Sequence, residues 1–271
     1  MGLHEMLAAA EAGRTLEIEH GWGQGRATFG GLVGGLLLAR IHGELRAGPG
    51  GGATRPQPLR SITVSFVAPA APGVATSVEA EILRRGSNVT QCHAVMRQDG
   101  AVVASALASF GAHRESAIHV AAEPLPEGMP GPDAAEPIPY LEGLVPEFFQ
   151  HVELRPVDGN LPYVGADTSH MAGWMALVEQ PGRYTEEHFV TLADAWPPAV
   201  IQMLTSPAPA SSLTWTLEFL AELHDVPGDT RWAYRVETDA ARDGYAHTCA
   251  KIWQPDGTLT AISRQTIAVF G

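Results

Sequence analysis

The sequence is short of several things at once, and each shortage removes a class of function. It has two cysteines in 271 residues, Cys92 and Cys249, far apart and without metal-ligand spacing. That excludes a disulfide framework and suits a reducing compartment. Basic residues are scarce: 17 Lys and Arg face 30 Asp and Glu, a formal net charge of −13. A nucleic-acid or anionic-membrane surface needs basic patches, so neither is an expected partner. A few local arginines could still hold a phosphorylated small molecule. Long apolar runs are missing too, and the longest, GGLVGGLLLA, is about half of what a membrane span requires. The stretch MGLHEMLAAAEAG has no basic segment followed by an apolar core, so the expectation is a soluble cytoplasmic protein without a secretory signal.

Familiar catalytic signatures are also missing. Without a G-x-S-x-G elbow, an α/β-hydrolase serine mechanism is not expected. GWGQGR lacks the third glycine and the βαβ context of a dinucleotide site and reads as a loop. The eleven histidines show no HExxH or other ligand spacing, so no metal ligand set and no cofactor is expected.

What is present is apolar substance, 45% of the chain, enough for one large or two small cores. The stretch EPLPEGMPGPDAAEPIPY, residues 123–140, is dense in proline and acid without apolar periodicity and reads as an extended connector. It separates halves that resemble each other. RGSNVTQCHAVMRQDGAVVA (85–104) and RDGYAHTCAKIWQPDGTLTA (242–261) align Arg85 with Arg242, Cys92 with Cys249, and Asp99-Gly100 with Asp256-Gly257. Asp-Gly between alternating apolar runs is a strong hairpin signal, so each half ends in a β-hairpin. This points to an internal duplication, with units at 1–113 and 145–271 and a connector at 114–144.

Within each unit the periods suggest one helical element and several strands. FGGLVGGLLLARIHGELRAG suits a helix buried on most sides, followed by strands in PLRSITVSFVAPA, GVATSVEAEILRRG, NVTQCHAVMRQ and AVVASALASFGAH. The second half places strands in FFQHVELRPV and TSHMAGWMALVE before the helical EEHFVTLADAWPPAVIQML. SSLTWTLEFLAEL, RWAYRVETDA, HTCAKIWQP and TLTAISRQTIAVF are its later strands. The expected class is α+β, a long helix on a curved antiparallel sheet, twice over.

LADAWPPAVIQML carries the sharpest question. Pro197 and Pro198 fit the first turn of a helix running to about Leu204, because proline's missing N–H has no partner there anyway. Asp194 would then sit where free N–H groups and the positive dipole end favour an anion. Such a residue can be a cap, or a base held at a buried helix mouth.

The Phe-Gly-Gly helix opening, the strand ITVSFVAPA, and LADAWPPAV followed by a terminal Gln together resemble the TesB-like (type II) acyl-CoA thioesterases. The resemblance covers about residues 14–112 and 145–271. It implies a double hotdog, two tandem antiparallel sheets each wrapped around a long central helix. It also implies hydrolysis of an acyl-CoA by water, without a cofactor, in fatty acid metabolism. The family's Asp falls on Asp194 and its Gln on Gln265 in AISRQTIAVF. Its hydroxyl falls on Ser212, where Thr is usual, with Thr214 as the alternative. Homo-oligomerisation through the sheets is left open.

The chemistry stands beside the resemblance. A carboxylate can take a proton from water, and Gln and Ser can orient that water with a donor and an acceptor each. Free N–H groups at a helix start can hold an oxyanion. Gly30 or Gly31 and Ala108 replace Asp194 and Gln265 in the first half, so one catalytic site per chain is expected. Gly30 and Gly31 suit either close approach to an acyl thioester or helix packing. Trp196 is placed at the pocket, and Arg85, after Arg84, either meets a CoA phosphate or forms a solvated turn. Two other readings remain: a non-catalytic acyl-CoA or acyl-carrier binder, and an enoyl-CoA hydratase-like enzyme. The latter is weakened because DGNLPY has Tyr163 where the hydratase motif Asp-x-Asn-x-x-His needs its base.

Overall fold

A computed structural model describes residues 1–47 and 57–271. The chain opens with a helix that the sequence reading did not anticipate, α1 (Leu3–Glu11), which packs Leu3, Met6 and Leu7 into the core. Next come the short strands β1 (Leu16–Glu17), β2 (Gly23–Gln24) and β3 (Ala27–Thr28), the last two forming the GWGQGR hairpin. Then comes α2 (Gly30–Ala47), with Leu32, Val33, Leu36, Leu37, Leu38 and Ile41 all buried. The last residue of the expected helical stretch, Gly48, lies outside the described residues. Strands β4 (Leu59–Phe66), β5 (Ala75–Arg85), β6 (Val89–Gln98) and β7 (Ala101–Gly111) complete the first half. The second half contains β8 (Val152–Asp158), β9 (His170–Leu177), α3 (Glu186–Ala193), β10 (Ala210–Phe219), β11 (Trp232–Arg242), β12 (Tyr245–Trp253) and β13 (Leu259–Val269). No helix of the described residues is long and apolar enough to cross a membrane.

Eleven strands form one antiparallel sheet in the order β1-β5-β6-β7-β4-β10-β13-β12-β11-β9-β8. Read outward from the middle, β4 answers β10, β7 answers β13, β6 answers β12 and β5 answers β11. The duplication is written into this order. The expectation of two tandem sheets is corrected: β4 and β10 pair from Thr214↔Ser65 to Glu218↔Ser61 and fuse the halves. Bringing the two inner strands edge to edge satisfies backbone groups that would otherwise be exposed. Nor does each half carry a long helix, since α3 has eight residues against eighteen in α2.

The repeat also needs a correction in its detail. Cys92 and Cys249 lie on equivalent strands but on opposite faces. Cys92 is buried opposite Ala108, whereas Cys249 is half-exposed opposite Arg264. The two hairpins differ: Asp99 and Gly100 alone make the first turn, both at positive φ, while residues 254–258 make the second. Extra residues in a hairpin change register, and a one-residue slip in a strand exchanges its faces. Matched by face, Thr248 is the counterpart of Cys92, and Gln265, opposite Thr248, is the counterpart of Ala108.

The proline-rich connector is pinned rather than loose. Trp174 Nε1 donates to Pro130 O at 2.8 Å and Trp253 Nε1 to Glu123 O at 3.0 Å. Arg155 Nη1 donates to Ala135 O at 2.9 Å, and Leu125 and Met129 pack on the two tryptophans. That leaves the opposite face of the sheet to the helices. There α2 lies against β5, β6 and β7 and runs antiparallel to α3. Glycines permit the close helix contact: a Cβ on Gly31 would come within 2.1 Å of Thr191 O, and one on Gly35 within 2.1 Å of Thr191 Oγ1.

Candidate active site

The helix α3 starts on a Thr185 cap and stops at Asp194, its C-cap, with φ −100° and ψ 7°. Pro198 disfavours the α region at Pro197, and the segment beyond the two prolines, Ala199–Met203, is only a 3-10 turn. The expectation of an α-helix opening at Pro197 is therefore corrected: Asp194 ends a helix instead of preceding one. Yet its carboxylate does sit at a helix start. It reaches across to α2, where the Gly31 backbone N–H donates to it. A Cβ on Gly30 would come within 2.6 Å of Asp194 Oδ2. The free N–H groups and positive dipole end that attract the anion belong to the other half of the chain.

Two further side chains converge there. Gln265 Nε2 donates to Asp194 Oδ1 at 2.5 Å, and Ser212 Oγ donates to Gln265 Oε1 at 3.0 Å. The Gln265 amide thus gives one of its two N–H donors to the carboxylate and one oxygen lone pair to the hydroxyl, leaving one of each for water. A β-bulge sets this up. Ser212 pairs with Ile267 and Thr214 with Thr266, leaving Leu213 as an extra residue. Residues two apart on a regular strand share a face, so without the bulge Ser212 would point outward with Thr214. With it, Ser212 joins Gln265, and Thr214 remains exposed on the other side. Of the two hydroxyls left open by the sequence, the structure brings Ser212 to the cluster.

Asp194 is half-buried as a residue but its carboxyl is enclosed by protein, and that burial pushes its pKa up to about 7 against the opposing hydrogen bonds from Gln265 and Gly31. Desolvation outweighs two donors that favour the charge. A base with this proton affinity is matched to neutral pH.

Trp196, two residues on, is 5% exposed and stacks on Tyr234 with ring centroids 5.6 Å apart and planes 11° apart. Gly173, opposite Tyr234 on β9, makes the slot, since a Cβ there would meet Trp196 Cη2 at 2.4 Å. Burial, then the Asp194 charge, raises the Tyr234 phenol above its ordinary value. Tyr234 and Phe66, whose ring lies against Gly30, are site residues that the sequence reading missed. Alternation on β11 and β4 could mark their strands but not their neighbour.

Other expected site residues fall elsewhere. Gly30 and Gly31 are approached by Asp194, Thr191 and Phe29, which is close packing within the chain. Arg85 is not brought to the cluster. Its Nη2 donates to Leu45 O at 3.4 Å, and fourteen residues of α2 at about 1.5 Å each put that carbonyl ~20 Å from Gly31. In DGNLPY, Asp158 Oδ1 accepts from Gly159 N and Tyr163 donates to Ala208 O at 3.4 Å, so both side chains hold a loop.

Comparison with known proteins agrees with this architecture. Residues 18–111 match the acyl-CoA thioesterase N-terminal domain and residues 126–269 the acyl-CoA thioesterase C-terminal domain. No curated protein matches the chain. Among solved structures, a conserved hot-dog-fold protein of unknown function from Alicyclobacillus acidocaldarius superposes with a TM-score of 0.80 at 23% identity, covering 97% of this chain and 98% of that one. The acyl-CoA thioesterase II TesB2 of Mycobacterium marinum superposes with a TM-score of 0.72 at 18% identity, covering 100% and 99%. The tesB protein of Mycobacterium avium subspecies paratuberculosis gives 0.72 at 14% identity, covering all of both chains. At these identities the likeness speaks for the fold.

Proposed function

The chain belongs to the acyl-CoA thioesterase family, and from that premise we propose that it hydrolyses an acyl-CoA to the free acid and CoA, with Asp194 as general base. The observation that carries this reading is the hydrogen-bonded series Ser212–Gln265–Asp194 at the start of α2. Water held by Gln265 and Ser212 attacks the thioester carbonyl carbon while its proton passes to the Asp194 carboxylate. Backbone N–H groups at the start of α2 receive the oxyanion. The tetrahedral adduct then expels the CoA thiolate, which takes the proton back from Asp194. Residues 1–113 and 145–271 act as the two units, and only the second supplies a base and an amide. Ala108 stands where the first would need its Gln. A charge of −13 and two unpaired cysteines fit work in the cytoplasm on CoA-linked acyl groups of fatty acid metabolism.

Thiol release from acyl-CoAs of several chain lengths tests the reading, with Asp194→Asn as the control. Asn keeps the size and much of the hydrogen bonding but cannot accept the proton. Turnover should fall by about 10²-fold or more. Equal turnover in both proteins would reduce Asp194 to a structural anion, and no release from any acyl-CoA would leave a binder.

A further inference from the structure

The two ends of the antiparallel helix pair are built differently. At one end the first turn of α2 meets Asp194. At the other the first turn of α3 meets the last turns of α2, and a cavity of about 830 Å³ opens there. That size lies within the range of small-molecule sites. Among the described residues its apolar wall includes Leu7, Ala39, Leu45, Phe110 and Leu223. Its polar wall includes His42, held between two carboxylates that also line it: Nδ1 is 2.5 Å from Glu187 Oε1 and Nε2 is 3.1 Å from Glu186 Oε2.

The pseudo-two-fold relation between the strand orders carries the Asp194 end of the helix pair onto this cavity. It exchanges the first turn of α2 with that of α3, and β13 with β7. The reacting groups do not survive the exchange. Ala108 answers Gln265, and the expectation that Gly30 or Gly31 replaces Asp194 is corrected: eight residues into α2, as Asp194 is eight residues beyond the start of α3, stands the buried, apolar Leu38. This end offers space comparable to a ligand site, but among the described residues no counterpart of the Asp194–Gln265 pair.

We propose that the cavity is a second, non-hydrolytic site for an acyl chain, as a fatty acid or an acyl thioester. The ligand class rests on the thioesterase reading and on the charge balance of the walls. One protonated His42 faces both Glu186 and Glu187, and Arg46 faces Glu11, so the interior has no cationic excess for a polyanionic ligand. What it offers is apolar contact, with Arg85 among its lining residues to face an anionic end.

Titration with the fluorescent fatty acid cis-parinaric acid and with a non-hydrolysable acyl-CoA ether tests this on the intact chain. Ala8→Trp, at an exposed position of α1, and Ala112→Trp, at a half-buried position just past β7, fill the cavity from two sides. The expected result is two acyl sites per chain, with one weakened at least tenfold in both variants while turnover and melting temperature hold. Competition between the two probes tells which form occupies the second site. Identical binding by wild type and both variants overturns the inference. A chain that hydrolyses acyl-CoA but binds a single ligand fails here and leaves the proposed function standing. A chain that loses one of two sites on filling, yet never hydrolyses, does the reverse.

Discussion

Gln265 donates to Asp194 at 2.5 Å from 71 positions away in the chain, while Gly31 of the first half holds the same carboxylate from the other side. Neither donor suffices to keep the group a strong acid, because burial outweighs both. The carboxylate is fixed in direction yet retains its affinity for a proton, which is what a base for water requires.

Losing the amide should therefore affect geometry more than folding. Gln265→Ala removes a donor to Asp194 and an acceptor for Ser212, and kcat should fall by about 10–10²-fold through misplacement of the base and its water. Ser212→Ala should fall less, Ser212→Thr should retain activity, and Thr214→Val should match wild type because Thr214 faces outward. Steady-state thiol release on the four variants is the measurement. A Thr214→Val enzyme as impaired as Ser212→Ala would reject the assignment of the hydroxyl.

The raised carboxyl gives two linked pH signatures. The proposed mechanism needs the carboxylate, so kcat/KM should rise with pH through about 7 and level off above it. Stability runs the other way. A folded-state pKa above the unfolded 3.8 contributes stability that is present below 3.8 and lost as pH rises through about 7. Asp194→Asn should thus melt higher than wild type at pH 8 and alongside it near pH 3.5. Calorimetry at the two pH values decides, and equal melting temperatures at pH 8 would contradict the raised carboxyl.

Much of the fold was legible because its signals are local. The alternation in ITVSF and the turn at Asp99-Gly100 act over a few residues, and those strands lie where the periods put them. The carboxylate at a helix start was legible but attached to the wrong helix. Pro197-Pro198 looks like a helix start, whereas the N–H groups that serve Asp194 come from Gly31, 163 positions earlier. The Leu213 bulge was invisible, since nothing in SSLTW announces an unpaired residue, and it alone separates Ser212 from Thr214. Tyr234 reached the site through stacking between distant segments, which a period cannot encode.

The adjacent glycines of α2 should respond differently to the same methyl group. At Gly30 the Cβ would meet the Asp194 carboxylate at 2.6 Å and the Phe66 ring at 3.1 Å, both side chains that can move. Gly30→Ala should lower kcat by displacing the base, with little change in melting temperature. At Gly31 the Cβ would meet the Thr191 backbone oxygen at 2.1 Å and the Phe29 ring at 2.5 Å. Gly31→Ala should cost about 1–3 kcal/mol through overpacking, beyond the small gain in helix propensity. Chemical denaturation and turnover on both variants would show the split, and a Gly31→Ala protein as stable as wild type would refute the contact.

The far end of α2 makes the last case, one of stability without catalysis. Burial alone would disfavour a charged His42, but the Glu187 and Glu186 carboxylates outweigh it and push its pKa up to about 10. Burial likewise opposes the Glu187 charge, and His42 outweighs it, holding that carboxyl well below its usual range. His42 thus contributes stability that is fully present below its ordinary 6.5 and lost as pH rises through about 10. Glu187 contributes stability present above 4.5 and lost as pH falls through its depressed pKa. The clamp between the two helices is complete between about pH 4.5 and 6.5, so its contribution to the melting temperature should be greatest there and decline toward pH 10. His42→Ala leaves two half-buried carboxylates facing each other without the imidazolium, a loss of at most about 3 kcal/mol at pH 6. It should also erase the part of the alkaline decline that belongs to His42. Because Asp194 sits at the opposite end of α2, turnover measured well below the melting temperature should stay near wild type. An alkaline slope that survives unchanged in the variant would mean that His42 is not the group losing its proton.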